Sequence, residues 1–140
     1  MIKYKFNDGG RKAAGRKGTT GDCVVRALCI AGDLPYLETY KYIAALNEPR
    51  FGRKTVSKGV YNKEIGIAMK RYGFEKVKLP KGPRPTFSQA YKQYGNCIVS
   101  TTKHVAALKD GALQDIHDWR TYEWDFETCQ RKAMSIWVKK

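Results

Sequence analysis

A cysteine, a histidine and an aspartate can together build an acyl-transfer nucleophile, and this chain carries them where they could converge. Cys23 stands in "TTGDCVVRALCIAG" (Thr19 to Gly32), behind a Gly-Asp pair and at the head of an apolar run. Asp22 is a good N-cap, because its carboxylate can accept from a backbone N–H of the first helical turn. Val24, Ala27, Leu28 and Ala31 recur at helical spacing, which predicts a helix from Asp22 to Ala31 stopped by Gly32. A thiol at that end of a helix feels the positive end of the helix dipole, which favours the thiolate.

The base and its partner come from "HVAALKDGALQDIHDW" (His104 to Trp119), where Asp110-Gly111 is a strong hairpin signal. With those two residues at the centre of the turn, Lys109 faces Ala112, Leu108 faces Leu113, Ala106 faces Asp115 and His104 faces His117. Side chains alternate along a strand, so His104 and Asp115 share a face as diagonal neighbours. A carboxylate there can engage one imidazole nitrogen, fix the tautomer and leave the other nitrogen as a base. A slip of one residue in the turn would break this geometry. His117 is the other candidate base, but its neighbour Asp118 points to the opposite face. Asp110 and Asp118 read as loop or strand-end acids.

These residues need a scaffold. After the first helix, Asp33 is expected to cap a second, with Pro35 near its first turn and Leu37, Tyr40, Ile43 and Ala44 on one face, ending near Asn47. "EPRFGRKTVSKG" (Glu48 to Gly59) reads as a basic loop. A third helix runs from about Asn62 to Tyr72. "FEKVKLP" alternates as a short strand, "KGPRPT" is a turn, and "FSQAYKQYG" is a short helix. "NCIVSTT" and "SIWVKK" read as strands. Helices first and strands afterwards predict an α+β class, with N-terminal helices packed on a C-terminal antiparallel sheet. Residues 1–20, with "DGGRKAAGRKGTTG", read as a basic, flexible N-terminal arm, and 21–140 as a single domain. Gly10 and Gly15 have the separation of a phosphate loop, but the Lys-Ser/Thr pair and the preceding strand are missing from that reading.

The two quoted motifs carry a resemblance. "GDCVVRALCIA" (Gly21 to Ala31) and "HVAALKDGALQDIHDW" together resemble small papain-fold cysteine peptidase domains of the C39-like kind, nearest to mostly phage-encoded proteins of that type. The motifs span roughly a fifth of the chain. The resemblance implies a nucleophile at Cys23, a base at His104 and an orienting acid at Asp115, acting on an amide or thioester through an acyl-enzyme. The Cys23 backbone N–H would help to hold the oxyanion. Papain-like enzymes usually place a Gln several residues before the cysteine as an oxyanion donor. This chain reads "GRKGTTGD" there, so Thr19, Thr20 and Lys17 are the candidate donors. The resemblance also implies a protein or peptide substrate, which for a phage protein could be a host protein. Transfer or deamidation on the same triad is a further chemistry.

Composition supplies the competing class. The chain has 140 residues, 42% of them hydrophobic and 12% aromatic, enough for a real core. It holds 27 Lys+Arg against 13 Asp+Glu, a formal net charge of +14. Such a field attracts polyanions, so a catalytically inactive fold used as a basic binding or inhibitor protein, for nucleic acid or an acidic host protein, is the alternative. Arg11, Lys12, Arg16 and Lys17 are the candidate polyanion-binding residues. The four cysteines, at 23, 29, 97 and 129, are expected as free thiols, with Cys29 and Cys97 in the core and Cys129 without a partner motif. No CxxC occurs, so neither a metal nor a cofactor is expected. No apolar run approaches the roughly 20 residues of a membrane span. The N-terminus lacks the apolar core of a secretory signal, so the expected location is cytoplasmic, that of the host if phage-encoded. Trp119, Tyr122 and Trp124 form an aromatic cluster read as core packing or as a stacking platform.

Overall fold

The computed structural model describes residues 1–16, 21–102, 104–122 and 125–140, with 122 and 125–130 described by backbone alone. Among them are four helices, α1 (Cys23–Gly32), α2 (Tyr36–Phe51), α3 (Asn62–Arg71) and α4 (Phe87–Tyr94). A six-stranded sheet comprises β1 (Lys3–Phe6), β2 (Phe74–Lys76), β3 (Cys97–Ser100), β4 (Val105–Lys109), β5 (Ala112–Asp115) and β8 (Ser135–Lys139), in the order β1-β5-β4-β3-β8-β2. β6 (Thr121–Tyr122) and β7 (Asp125–Gln130) pair separately. The class is α+β.

The sheet departs from the expected one in two ways. It is mixed, because β1 runs parallel to β5 while the other pairs are antiparallel. It also draws β1 from ahead of all the helices and β2 from between α3 and α4. Residues 1–16 are therefore not an arm leading into the domain. Ile2 is buried, the Asn7 amide donates to Gln114 Oε1 at 2.9 Å, and the Asp8 carboxylate accepts from the Gly10 and Lys12 backbone N–H groups. The physical reason is the alternation in "IKYKF": Ile2 and Tyr4 turn inward and Lys3 and Lys5 outward, and pairing with β5 outweighs the Gly- and Lys-rich segment that follows.

β4 and β5 form the expected hairpin. Asp110 and Gly111 both have positive φ, 52° and 78°, as a type I′ turn requires. Lys109 is opposite Ala112, Leu108 opposite Leu113 and Ala107 opposite Gln114. The central strands carry apolar side chains on both faces. Ile98, Val105 and Trp137 pack with α1, α2 and α3, whereas Cys97, Val99, Ala106, Leu108, Leu113 and Ile136 pack with Phe87 and Ala90 of α4.

α1 lies on β4 and is buried along Val24–Ile30, so its apolar stripe widens to nearly the whole circumference. Its C-terminus is closed by Asp33 in the left-handed region, not by Gly32, and Asp33 therefore does not cap α2. Pro35 takes that position. The inward face of α2 is Tyr36, Thr39, Ile43, Ala44 and Asn47, and Leu37 is 45% exposed. α2 also continues past Asn47 to Phe51, with Pro49 in its last turns. Tertiary contact explains the extension: Arg50 donates to Glu64 of α3 at 2.6 Å and lies over the Tyr61 ring. α4 starts with a capping box, in which Thr86 Oγ1 accepts from the Gln89 N–H and Gln89 Oε1 accepts from the Thr86 N–H.

Candidate active site

Cys23 is the first residue of α1, and Gly21, two residues before it, lies hard against the 55–60 loop. Gly21 has φ of 70°, and a β-carbon there would collide with the Val56 carbonyl oxygen and sit 2.7 Å from that of Ser57. Only glycine fits this approach of the 55–60 loop, which fixes the direction in which Asp22 and Cys23 enter the helix.

Asp22 does not cap α1 with its side chain. Its carboxylate, fully buried, is taken by stronger donors: the Arg11 and Arg26 guanidiniums and the Tyr36 hydroxyl, the last at 2.6 Å. Charge-assisted bonds of this kind outcompete a neutral backbone N–H. Arg26, one helical turn after Asp22, reaches on with Nη2 to Asp115 Oδ1 at 3.3 Å. Carboxylates and guanidiniums thus alternate from Arg11 through Asp22 and Arg26 to Asp115. Each buried charge is offset by an opposite neighbour, the condition for tolerating such groups in the interior.

Asp115 ends β5 and is the hub of the site. Its Oδ1 accepts from the Ile116 backbone N–H at 2.7 Å and from Arg26; its Oδ2 accepts from the Trp119 indole N–H at 2.7 Å and meets His104 Nε2 at 2.6 Å. Burial works to raise its pKa, but the His104 bond and charge, the Arg26 charge and the Ile116 N–H together hold it below the ordinary carboxylate value. His104 lies just before β4, its side chain 29% exposed. Burial works to lower its pKa, yet the hydrogen bond and charge of Asp115, with those of Cys23, push it up to about 9. Trp119 packs edge-on against the His104 ring, centroids 4.4 Å apart, and against Phe87 at 5.1 Å. The imidazole is thereby clamped in orientation as well as in charge. With Nε2 on Asp115, Nδ1 is the nitrogen left to face the thiol.

Cys23 and His104 both line a cleft of about 290 Å³, walled by Arg26, Val60, Ile65, Thr101 and Trp137 among others. The structure therefore brings Cys23, His104 and Asp115 together. Cys29 and Cys97 are buried, and burial pushes their thiols up to about 11 and about 12. His117 is exposed beyond the end of β5, and Asp118 pairs with Arg120 at 2.7 Å. Thr19, Thr20 and Lys17, the oxyanion candidates, lie outside the described residues, as do Trp124 and the side chains of Tyr122 and Cys129.

The polyanion candidates separate. Arg11, expected at a polyanion-binding surface, is instead buried at 6% exposure, its guanidinium turned inward to Asp22 and Tyr36. Arg16 is half-buried, donating to the Tyr40 hydroxyl at 2.6 Å and stacking 3.7 Å from that ring's centroid. Lys12 is exposed.

Arg26 and the bond from Trp119 to Asp115 are the site features that sequence reasoning did not assign. The signal for Arg26 was present, a single charge inside "CVVRALCIA" placed four residues after Asp22. Nothing in the sequence showed that its other arm would reach Asp115. Among the described residues, no three His, Cys, Asp or Glu side chains gather as a metal site, and no helix is long and apolar enough to cross a membrane. No protein-family model, no curated protein and no solved structure matches this chain.

Proposed function

We propose that the protein is a papain-like cysteine hydrolase that cleaves an amide or thioester bond in a protein or peptide. The observation that carries this reading is the chain Cys23–His104–Asp115, ordered from a helix N-terminus to a buried carboxylate and open to a cleft. In the reaction, the Cys23 sulfur attacks the carbonyl carbon while His104 holds the thiol proton. The imidazolium then gives that proton to the leaving amine or thiol as the carbon–heteroatom bond breaks. Water, deprotonated by His104, releases the acyl group and restores the thiol. Asp115 stabilises the imidazolium without becoming protonated, and Trp119 and Arg26 hold Asp115 in place. The Cys23 backbone N–H, at the start of α1, is an oxyanion donor.

A thiol-directed electrophile tests the reading, with the modified cysteine located by mass spectrometry. Cys23 should react far faster than the other three cysteines, and His104→Ala should abolish the advantage. Equal labelling, or labelling indifferent to His104, would overturn it. The net charge of +14 favours a second reading, a basic protein that binds nucleic acid or an acidic protein without turnover. That reading requires steeply salt-dependent binding to an oligonucleotide or acidic protein, undisturbed by Cys23→Ser.

A further inference from the structure

Beside the thiol cleft lies a larger groove of about 900 Å³ between α3 and the β2–β8 edge of the sheet. The two hollows share Asn62, Ile65, Ser100, Thr101, Thr102 and Trp137, so they form one continuous depression ending at Cys23. Beyond the shared wall the groove is lined by apolar Met69 and Phe74, and its rim carries Lys70, Lys76 and Lys140 against one acid, Glu75. Glu75 is already engaged by Lys140 at 3.4 Å. Lys76 Nζ stands 5.7 Å from the centroid of the Trp137 ring, placing cationic charge next to the apolar floor. Ser100 and Ser135, on neighbouring strands, bond to each other through their hydroxyls and add a polar strip.

We propose that this groove binds an acidic peptide segment anchored by an apolar side chain and so selects the substrate presented to Cys23. The inference rests on the hydrolase reading for its orientation toward the thiol. An apolar anchor packs against Met134, 48% exposed in the groove wall, over the edges of Ile65, Met69, Phe74 and Trp137 that reach its floor, and flanking carboxylates fit the lysine rim. Serine and threonine hydroxyls suit an extended backbone, which carries unpaired donors and acceptors. Nucleic acid fits less well. Single strands are held by exposed aromatic faces, whereas Phe74 and Trp137 are 5% and 8% exposed. A thiol nucleophile at the end of the groove also calls for an acyl carbon, not a phosphate.

The test is protection of Cys23 from iodoacetamide, with each rate taken relative to the same protein without competitor. The probes are acetylated, amidated peptides repeating Glu-Leu-Ala, Lys-Leu-Ala or Glu-Ser-Ala three times, and a thymidine oligonucleotide of matching charge. The Glu-Leu-Ala peptide should protect at a concentration at least about tenfold below the other three, and Lys70→Ala combined with Lys76→Ala should raise that concentration about tenfold. Equal protection by the lysine or serine peptide, no protection by any peptide, superior protection by the oligonucleotide, or indifference to the lysine substitutions would overturn the proposal. Failure of the hydrolase reading looks different: Cys23 would then react no faster than the other cysteines and ignore His104→Ala, while peptide protection could still be measured.

Discussion

Replacing Asp115 by Asn changes one atom and should dismantle the electrostatics of the site. Four donors converge on this side chain: the Ile116 N–H, the Trp119 indole, Arg26 and His104. An amide offers one accepting oxygen and turns an N–H₂ toward donors, and it leaves Arg26 with a single carboxylate, Asp22. Breaking a buried charge pair from one side costs about 3–5 kcal/mol, and a loss of that size lowers Tm by roughly 10–20 °C in a domain of this length. The readout specific to the reasoning is the His104 titration. In the wild type His104 stands at about 9 because Asp115 and Cys23 overcome burial. With the carboxylate gone burial remains, so the value should fall well below 9. The rise from 6.5 to about 9 corresponds to on the order of 3 kcal/mol. Because the folded value lies above the unfolded one, that stability is complete below about pH 6.5 and is lost as pH rises through about 9. Asp115 works in the opposite sense: its folded value is depressed, so its contribution is complete above 3.8 and is lost as pH falls through the folded value. The gap between wild type and variant should therefore be widest between about pH 5 and 6.5 and narrow on both sides. NMR titration of the imidazole Cε1–H signals measures this directly. The chain has two histidines, so a His117→Gln variant assigns them. Urea denaturation at several pH values supplies the stability curve. A wild-type His104 titrating near 6.5, or one unmoved by Asp115→Asn, would refute the account.

The rate of thioester or amide cleavage should decline above about pH 9 as the His104 imidazolium is lost, and in Asp115→Asn this alkaline limb should move to lower pH; an unchanged limb in stopped-flow assays would disconnect His104 from the chemistry. Arg26→Met removes the cation between Asp22 and Asp115 and should cost about 3–5 kcal/mol in urea denaturation. Arg26→Lys should recover only part of that, because an ammonium lacks the fork that reaches both carboxylates. Gly21→Ala should destabilise by at least about 2 kcal/mol through its left-handed φ and the Val56 and Ser57 carbonyls. By contrast, Gly66→Ala, in α3 with open space around the position, should stabilise by about 0.5–1 kcal/mol; differential scanning fluorimetry on the pair shows whether close approach separates the two glycines.

The hairpin and α1 were legible because their signals are local. Asp110-Gly111 is among the few dipeptides that accept two successive positive φ values, and the register of β4 and β5 follows from it. α3 and α4 likewise follow from short-range periodicity and a clear stop. The extension of α2 was not legible, since Pro49 and a basic run argue for a loop, while Glu64 and Tyr61, on and beside another helix, hold Arg50 in place. β1 was misread for a related reason. Its pairing partner, β5, lies more than a hundred residues away, and the glycines and lysines that follow it carry the local signal of an arm.

The sequence by itself determined that a thiol would stand at a helix N-terminus and that a histidine and an aspartate would meet across a two-residue turn, because each is a matter of neighbouring backbone dihedrals. Tertiary structure alone decided which partners Asp22 and Arg26 find beyond each other. A carboxylate next to a helix start satisfies the rule for a cap, yet once buried it is claimed by whichever cations the fold delivers. Here those are Arg11, from the segment beyond β1, and Arg26, whose second arm ties α1 to Asp115. Charge in a low-dielectric interior must be neutralised over distances of a few ångströms; helical spacing brings Arg26 to Asp22, but no one-dimensional spacing specifies that Arg11 and Asp115 will lie that close.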